Sequence, residues 1–334
     1  MQCIPFIPLF EAEMPPQLSI DGLECLLQWC RKNRSQPYHA FRSYVYICGH
    51  GFQTHSRMGN HLVSMLAEAR FIDDATSVFE ILPCRTLCTW NSLIHGYSKC
   101  GNPHHALILY RGMLADALIP NGYTFVVLLR VLAKLNDLET GYHIHSEIDK
   151  KGLLESDLYV GSSLVHMYAE CGLLVEAQYI FQHIPFRNTV LWNTLIGGYT
   201  KWEQGDDALF YFNQMQSPPN SITFVCVLKA CGNLGEVYKG QSIHVRVVME
   251  GFVEGNDILS GALVDMYAKS GMLREARDIV DKLQVRDIVV WNSLVAGYIQ
   301  WKVAERTFHC FEQIHLEGHS LNVVTFNCIL KACG

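Results

Sequence analysis

The sequence predicts an all-α fold, a right-handed superhelical solenoid of helix–turn–helix repeats. Three observations carry that prediction. The stretch TWNSLIHGYSKCG, Thr89 to Gly101, returns as LWNTLIGGYTKWE from Leu191 and as VWNSLVAGYIQWK from Val290, which sets Trp90, Trp192 and Trp291 102 and 99 residues apart. The Thr-Phe pairs at Thr124, Thr223 and Thr325 keep the same rhythm, 99 and then 102. A third series, LVxMY, starts at Leu164 and Leu263, 99 apart, with a weaker relative at Leu62. Three interleaved series with one spacing near 100 describe a triplet of units of about 33 to 34 residues each, a period that belongs to stacked helical hairpins.

Cut at equivalent points, the chain gives an N-terminal extension (1–19), nine units (20–55, 56–86, 87–121, 122–157, 158–188, 189–220, 221–256, 257–287 and 288–322) and a truncated tenth (323–334). The first unit is degenerate in its middle. Within a unit, Trp90, Leu93, Ile94 and Tyr97 fall at i, i+3, i+4 and i+7, one face of a helix. KCGNP then ends it, with Gly101 suited to the C-terminal turn and Pro103 to the start of the next helix. Ala106, Leu109, Tyr110 and Met113 repeat the stripe on the second helix, as do Ala208, Tyr211, Phe212 and Met215 in a later copy. The chain stops about one helix into its tenth unit. A solenoid ending there leaves an apolar face bare, as expected of a fragment.

Composition narrows the function. Hydrophobic residues are 49% and charged residues 17%, enough for a continuous core and unlike a disordered chain. The net charge of −6 supplies no basic footprint, so nucleic-acid binding would have to rest on specific side-chain contacts. Thirteen cysteines form no zinc spacing and read as small reduced core residues, Cys231 and Cys333 among them. No apolar run reaches the roughly 18 residues of a membrane span. The N-terminus is neither a clean signal peptide nor an Arg-rich transit peptide, because Glu11 and Glu13 precede the first Arg.

LCTWNSLIHGYSKCGNPHHALILYRGMLADALIPN, SITFVCVLKACGNLGEVYKGQSIHVRVVMEGFVEGN and DILSGALVDMYAKSGMLREARDIVDKLQVRD resemble the P, L and S motifs of plant pentatricopeptide repeat proteins. The resemblance covers 20–334. It implies single-stranded RNA recognition at one base per repeat, in a mitochondrion or chloroplast, as a specificity factor that recruits editing or processing proteins. No DNA, membrane or cofactor is implied.

The resemblance also implies which residues do the reading. In the family, the fifth residue of a motif selects the base together with the last, and the second packs on base faces. In the P motifs these are Asn91 with Asn121, Asn193 with Asn220, and Asn292 with Asn322, with Cys88, Val190 and Val289 as packing residues. The S motifs carry Asn60 with Thr86, Ser162 with Asn188, and Gly261 with Asp287. The L motifs carry Val126 with Asp157 and Val225 with Asn256, and valine cannot hydrogen-bond a base. Asn holds both a donor and an acceptor and so can satisfy a base edge. The plain alternative is that the Asn after each Trp caps a helix, but that position lies inside the apolar periodicity rather than before it.

No catalytic centre is legible. A deaminase needs H-x-E followed by P-C-x-x-C. Here HSE at His145–Glu147 falls in a second helix, and PCRTLC has one residue too many and lies upstream. The competing function is a protein-binding scaffold of tetratricopeptide type, whose hairpins have the same length. It gives no reason for triplet alternation of unit length, nor for Asn recurring beside Trp.

Overall fold

The computed structural model describes residues 19–32, 37–252, 256–283, 286–318 and Thr325. They fall into two compact bodies, one ending at Met167 and one beginning at Tyr168. Among the described residues there is no strand. The longer helices pair in chain order: α1 Ile20–Lys32 with α2 Pro37–Gly49, α3 Ser56–Glu68 with α4 Ile72–Ile81, α5 Leu87–Lys99 with α6 Pro103–Ala115, α7 Gly122–Leu135 with α8 Leu138–Lys150, and α9 Leu158–Glu170 with α10 Leu174–His183. The series continues with α11 Thr189–Lys201 and α12 Gly205–Gln214, α13 Ser221–Leu234 and α14 Val237–Met249, α15 Asp257–Lys269 and α16 Leu273–Lys282, and α17 Ile288–Gln300 and α18 Ala304–Leu316. Single turns at Phe52–Thr54 and Leu153–Ser156 complete it.

The alternation of unit length comes mostly from the second helix. It has 13 residues in α6, α8, α14 and α18 but 10 in α4, α10, α12 and α16, a difference of nearly one turn. The two lengths end differently. Long second helices are followed by a left-handed residue at Gly51, Ala117, Gly152, Gly251 and Gly318, the usual way to close a helix. Short ones run straight into an extended residue at Leu82, Ile184, Met215 and Leu283. That ending leaves the last carbonyls short of backbone donors, although Phe79 and Val280 still accept from Leu82 and Leu283. At three of the four ends an arginine adds a donor: the Nε of Arg85, Arg187 and Arg286 donates to the carbonyls of Phe79, Phe181 and Val280 at 3.1, 3.0 and 2.9 Å. The Arg85 and Arg187 guanidinium carbons also lie 4.7 and 5.1 Å from the Phe79 and Phe181 ring centres.

Hairpins stack through the Trp and through a close helix approach. Trp90 meets Phe79 edge-on at 4.6 Å and Trp192 meets Phe181 at 4.7 Å, so each indole packs on the second helix of the preceding hairpin. Trp291 is fully buried, and its Nε1 donates to Glu317 at 2.8 Å. On the same first helices, a Cβ added to Gly198 or Gly297 would come within 2.8 or 2.5 Å of the Ala169 or Ala268 Cβ. No larger residue fits there without moving a neighbouring helix. Trp90, Leu93, Ile94 and Tyr97 are all buried, as the helical spacing requires. On the second helices the stripe is narrower than the sequence suggests: Leu109, Phe212 and Met215 are only half-buried.

Candidate functional site

From repeat 56–86 to repeat 257–287 the last residue performs one task visibly, capping the next first helix, whereas His55, which ends 20–55, makes no such bond. Side-chain oxygens of Thr86, Asn121, Asn188, Asn220, Asn256 and Asp287 accept the backbone N–H three residues on, at 3.3, 3.0, 2.9, 3.1, 3.1 and 2.8 Å. Asp157 accepts from Tyr159 and Val160 at 2.9 and 3.3 Å. Each cap satisfies a donor that the helix start would orphan, worth ~1 kcal/mol. The Asn after Trp does no capping. It sits a turn inside the helix, so capping belongs to its partner at the end of the repeat.

The two positions are joined. Asn193 Nδ2 donates to Asn220 Oδ1 at 3.0 Å, and Asn91 Nδ2 lies 3.4 Å from Asn121 Oδ1. The third residue of the following repeat closes the group: Thr223 Oγ1 donates to Asn193 Oδ1 at 2.6 Å and Thr325 Oγ1 to Asn292 Oδ1 at 2.9 Å, and Thr89 Oγ1 donates to Asn60 Oδ1. Asn91 is the most enclosed of these Asn side chains, and its Oδ1 is buried without a partner, because the Thr124 hydroxyl is turned to Asn121 at 2.9 Å. Ser162 turns its hydroxyl to the carbonyl of Tyr159 at 3.2 Å, on its own helix. Asn322 lies outside the described residues.

Cys88, Val190 and Val289 are exposed at the N-terminal turn of α5, α11 and α17. Sequence reading found only these three. The structure places Tyr123, Tyr159, Ile222 and Ile258 at the equivalent position of α7, α9, α13 and α15, with 51 to 80% of their surface in solvent. Scattered apolar surface residues are ordinary. Three in the first body and four in the second hold one register, each two residues past the last position of a repeat and three before the fifth position of the next, and form a ladder within each body. The signal was available: counting two residues past each L and S boundary lands on them.

The residue counts that locate these groups match known repeats. The model of the PPR repeat family matches residues 85–134, the PPR repeat model matches 190–217 and 260–288, and the pentatricopeptide repeat domain model matches 276–334. A mitochondrial pentatricopeptide repeat-containing protein of Arabidopsis thaliana is 32% identical over 308 residues, covering 90% of this chain and 54% of the relative. The chain belongs to the pentatricopeptide repeat family. The chloroplastic pentatricopeptide repeat-containing protein CRR2 of the same plant is 31% identical over 92% of this chain and 48% of its own length. The chain therefore spans about half the length of these two curated relatives. Among solved structures, the pentatricopeptide repeat protein PPR10, crystallised with an 18-nt psaJ RNA element, superposes with a TM-score of 0.77 at 14% identity, over 98% of this chain and 54% of PPR10. The same solenoid of helical hairpins is thus built from a largely different sequence.

Two other expectations change or gain detail in this pentatricopeptide repeat chain. The cysteines are free, but most described ones are not core residues. Cys30, Cys231 and Cys310 are buried, whereas Cys25, Cys84, Cys88 and Cys100 are exposed. Only Cys88 lies at an apolar helix start; Cys84 and Cys100 lie in the segments that join helices and Cys25 on the outer face of α1, so an apolar neighbourhood in sequence did not mean burial. Cys333 lies outside the described residues. His145 of the HSE stretch pairs with Asp149 at 3.4 Å on α8. Among the described residues no three His, Cys, Asp or Glu gather to hold a metal ion, and no helix is long and apolar enough to cross a membrane.

Proposed function

We propose that this chain binds single-stranded RNA sequence-specifically, one base per repeat, as a specificity factor for RNA editing or processing in a mitochondrion or chloroplast. The nine hairpins serve as the repeats 20–55 to 288–322 named above, alternating P, L and S types. The observation that carries the reading is that, in each body, exposed apolar side chains stand in one register three residues before the fifth position, with that position joined to the last at Asn91–Asn121 and Asn193–Asn220. Every base has a face that an apolar or aromatic side chain can cover, and an unpaired base offers its edge to a carboxamide. The solved RNA complex of PPR10, with the same hairpin array, supports this reading, as do the mitochondrial and chloroplastic names of the relatives.

The residues proposed to read are Asn60 with Thr86, Asn91 with Asn121, Ser162 with Asn188, Asn193 with Asn220, and Asn292 with Asn322. Cys88, Val190 and Val289 pack on base faces, now joined by Tyr123, Tyr159, Ile222 and Ile258. Asn with Asn takes a pyrimidine and Ser with Asn takes adenine. From 87–121 to 288–322 the preferred track, 5′ to 3′, is pyrimidine, any base, A, pyrimidine, any base, unassigned, pyrimidine. The absence of a basic footprint gives a shallower salt dependence than a polybasic binder shows. An RNA selection on the wild type and Asn193→Thr tests this. The expected result is a single-stranded motif whose preference changes at one nucleotide by ~1–3 kcal/mol. Enrichment of no motif, or of the same motif by both proteins, favours the protein-binding scaffold instead.

A further inference from the structure

The threonine at the third position of a repeat follows a rule internal to this chain. Where the fifth residue of one repeat is Asn, the third residue of the next is Thr: Asn60 with Thr89, Asn91 with Thr124, Asn193 with Thr223, Asn292 with Thr325. Where the fifth residue is Glu24, Val126, Ser162, Val225 or Gly261, the third residue of the next repeat is Met58, Val160, Leu191, Leu259 or Val290. All four threonines are fully buried. A hydroxyl placed there must find a partner, and at three of the four sites the partner is the carboxamide oxygen of that Asn.

Helix capping does not explain the rule. Thr124 and Thr223 do complete capping boxes with Asn121 and Asn220. Yet Asn188 and Asn256 cap their helices equally well with Leu191 and Leu259 at the same place. The threonine therefore tracks the Asn of the preceding repeat, not the Asn of the cap.

We propose that this buried threonine fixes which way the base-reading carboxamide faces, and so determines base preference one repeat upstream. The proposal rests on the RNA-reading function above. A carboxamide rotated by half a turn exchanges its donor and its acceptor, so a free Asn accepts several base edges. At Asn193 the rotation is blocked from both ends. Thr223 Oγ1 donates to Oδ1 at 2.6 Å, and Nδ2 gives one hydrogen to Asn220 Oδ1 at 3.0 Å. What remains for a ligand is the second Nδ2 hydrogen and the Asn220 amide group, a face of donors suited to the carbonyl edge of a pyrimidine. Asn91 lacks the threonine contact, so repeat 87–121 discriminates less sharply than 189–220.

The test is equilibrium binding of the full chain to RNAs that vary only at the nucleotide read by 189–220. Thr223→Val keeps the shape and removes the hydroxyl. It is expected to reduce pyrimidine-over-purine discrimination at that nucleotide roughly tenfold, the value of one well-made base contact, without changing preference elsewhere. Thr223→Ser is expected to restore it. If Thr223→Val does not fold, Thr89→Val carries the same test at the nucleotide read by 56–86. A Val variant that keeps wild-type discrimination, or that weakens every RNA equally, overturns the positioning role while leaving RNA reading intact. A wild type without preference at any single nucleotide overturns the RNA-reading function, and this inference with it.

Discussion

Arg187 closes the end of α10 by reaching back to Phe181: Nε donates to the Phe181 carbonyl at 3.0 Å and Nη2 to the Gln182 carbonyl at 2.7 Å. One planar side chain thus does the work of a missing helical turn. Replacing Arg187 with Ala removes two charge-assisted hydrogen bonds and a cation–π contact, and is expected to cost about 1.5–3 kcal/mol. Arg187→Lys recovers only part of this, since an ammonium cannot present the same fork. Chemical denaturation of the three proteins checks the order, and a Lys variant as stable as the wild type would sink the fork argument.

Trp192 lies against Phe181 from the preceding hairpin and is almost fully buried. Trp192→Ala is expected to cost ~3–5 kcal/mol as a core aromatic truncation. Because contacts in a stacked array are local, amide exchange should accelerate first in α10 to α12 and last in distant hairpins. Uniform acceleration along the chain would show the hairpins to be more strongly coupled than this packing implies.

Among the described residues, the turns inside the hairpins all pass through left-handed backbone, but with different residues. Gly172 holds a φ of 81°, and an added Cβ would lie 2.9 Å from the Trp202 ring. Gly172→Ala is therefore expected to destabilise by more than the ~1–2 kcal/mol of the backbone strain alone. Glu203, at φ 59°, occupies the equivalent turn of the next hairpin without glycine's freedom. Glu203→Gly is expected to leave melting temperature unchanged or raise it, the reverse of the Gly172 result.

Thiol chemistry should separate the cysteines. Burial pushes the Cys231 and Cys310 thiols up to about 11. At pH 8 they hold almost no thiolate, the reactive form. Maleimide labelling of the native protein is expected to modify Cys88, Cys84, Cys100 and Cys25 quickly and to reach Cys231 and Cys310 only after denaturation. Cys88 sits on the ladder, so saturating RNA should slow its labelling selectively. Labelling of Cys88 at an unchanged rate would count against its contact with bases.

The hairpin array was readable because Trp90, Trp192 and Trp291 repeat with their helical neighbours, and burial of one face forces that periodicity. The Asn positions were readable for a related reason, since a polar residue kept inside an apolar frame stands out. The arginine closures were not, although Arg85, Arg187 and Arg286 keep the tryptophans' spacing of 102 and 99 residues, because in an irregular segment that spacing does not show what the guanidinium bonds to. The Thr–Asn coupling was hidden for another reason. Its partners are about thirty residues apart, and Thr223 looks from sequence like an ordinary helix-start residue. The exposed Tyr and Ile of the ladder were passed over because apolar residues at a helix start read as core until the surface is known.

The cap shared between repeats has a consequence for how such arrays are shuffled. A cassette cut at the sequence borders of 189–220 abandons its own cap, Asn188, and carries off Asn220, on which Ser221–Leu234 depends. It also parts Asn193 from Thr223, 30 positions downstream. Shifting both cuts by three residues, to 192–223, keeps Trp192, Asn193, Asn220 and Thr223 in one transferable block and leaves Asn188 with its own upstream repeat. Gene duplications and laboratory grafts that respect this offset frame would move the Asn193–Asn220–Thr223 group whole, with the residue at the Val190 position supplied by the recipient. Those made at the motif borders would hand the recipient a helix start and an Asn193 parted from its threonine.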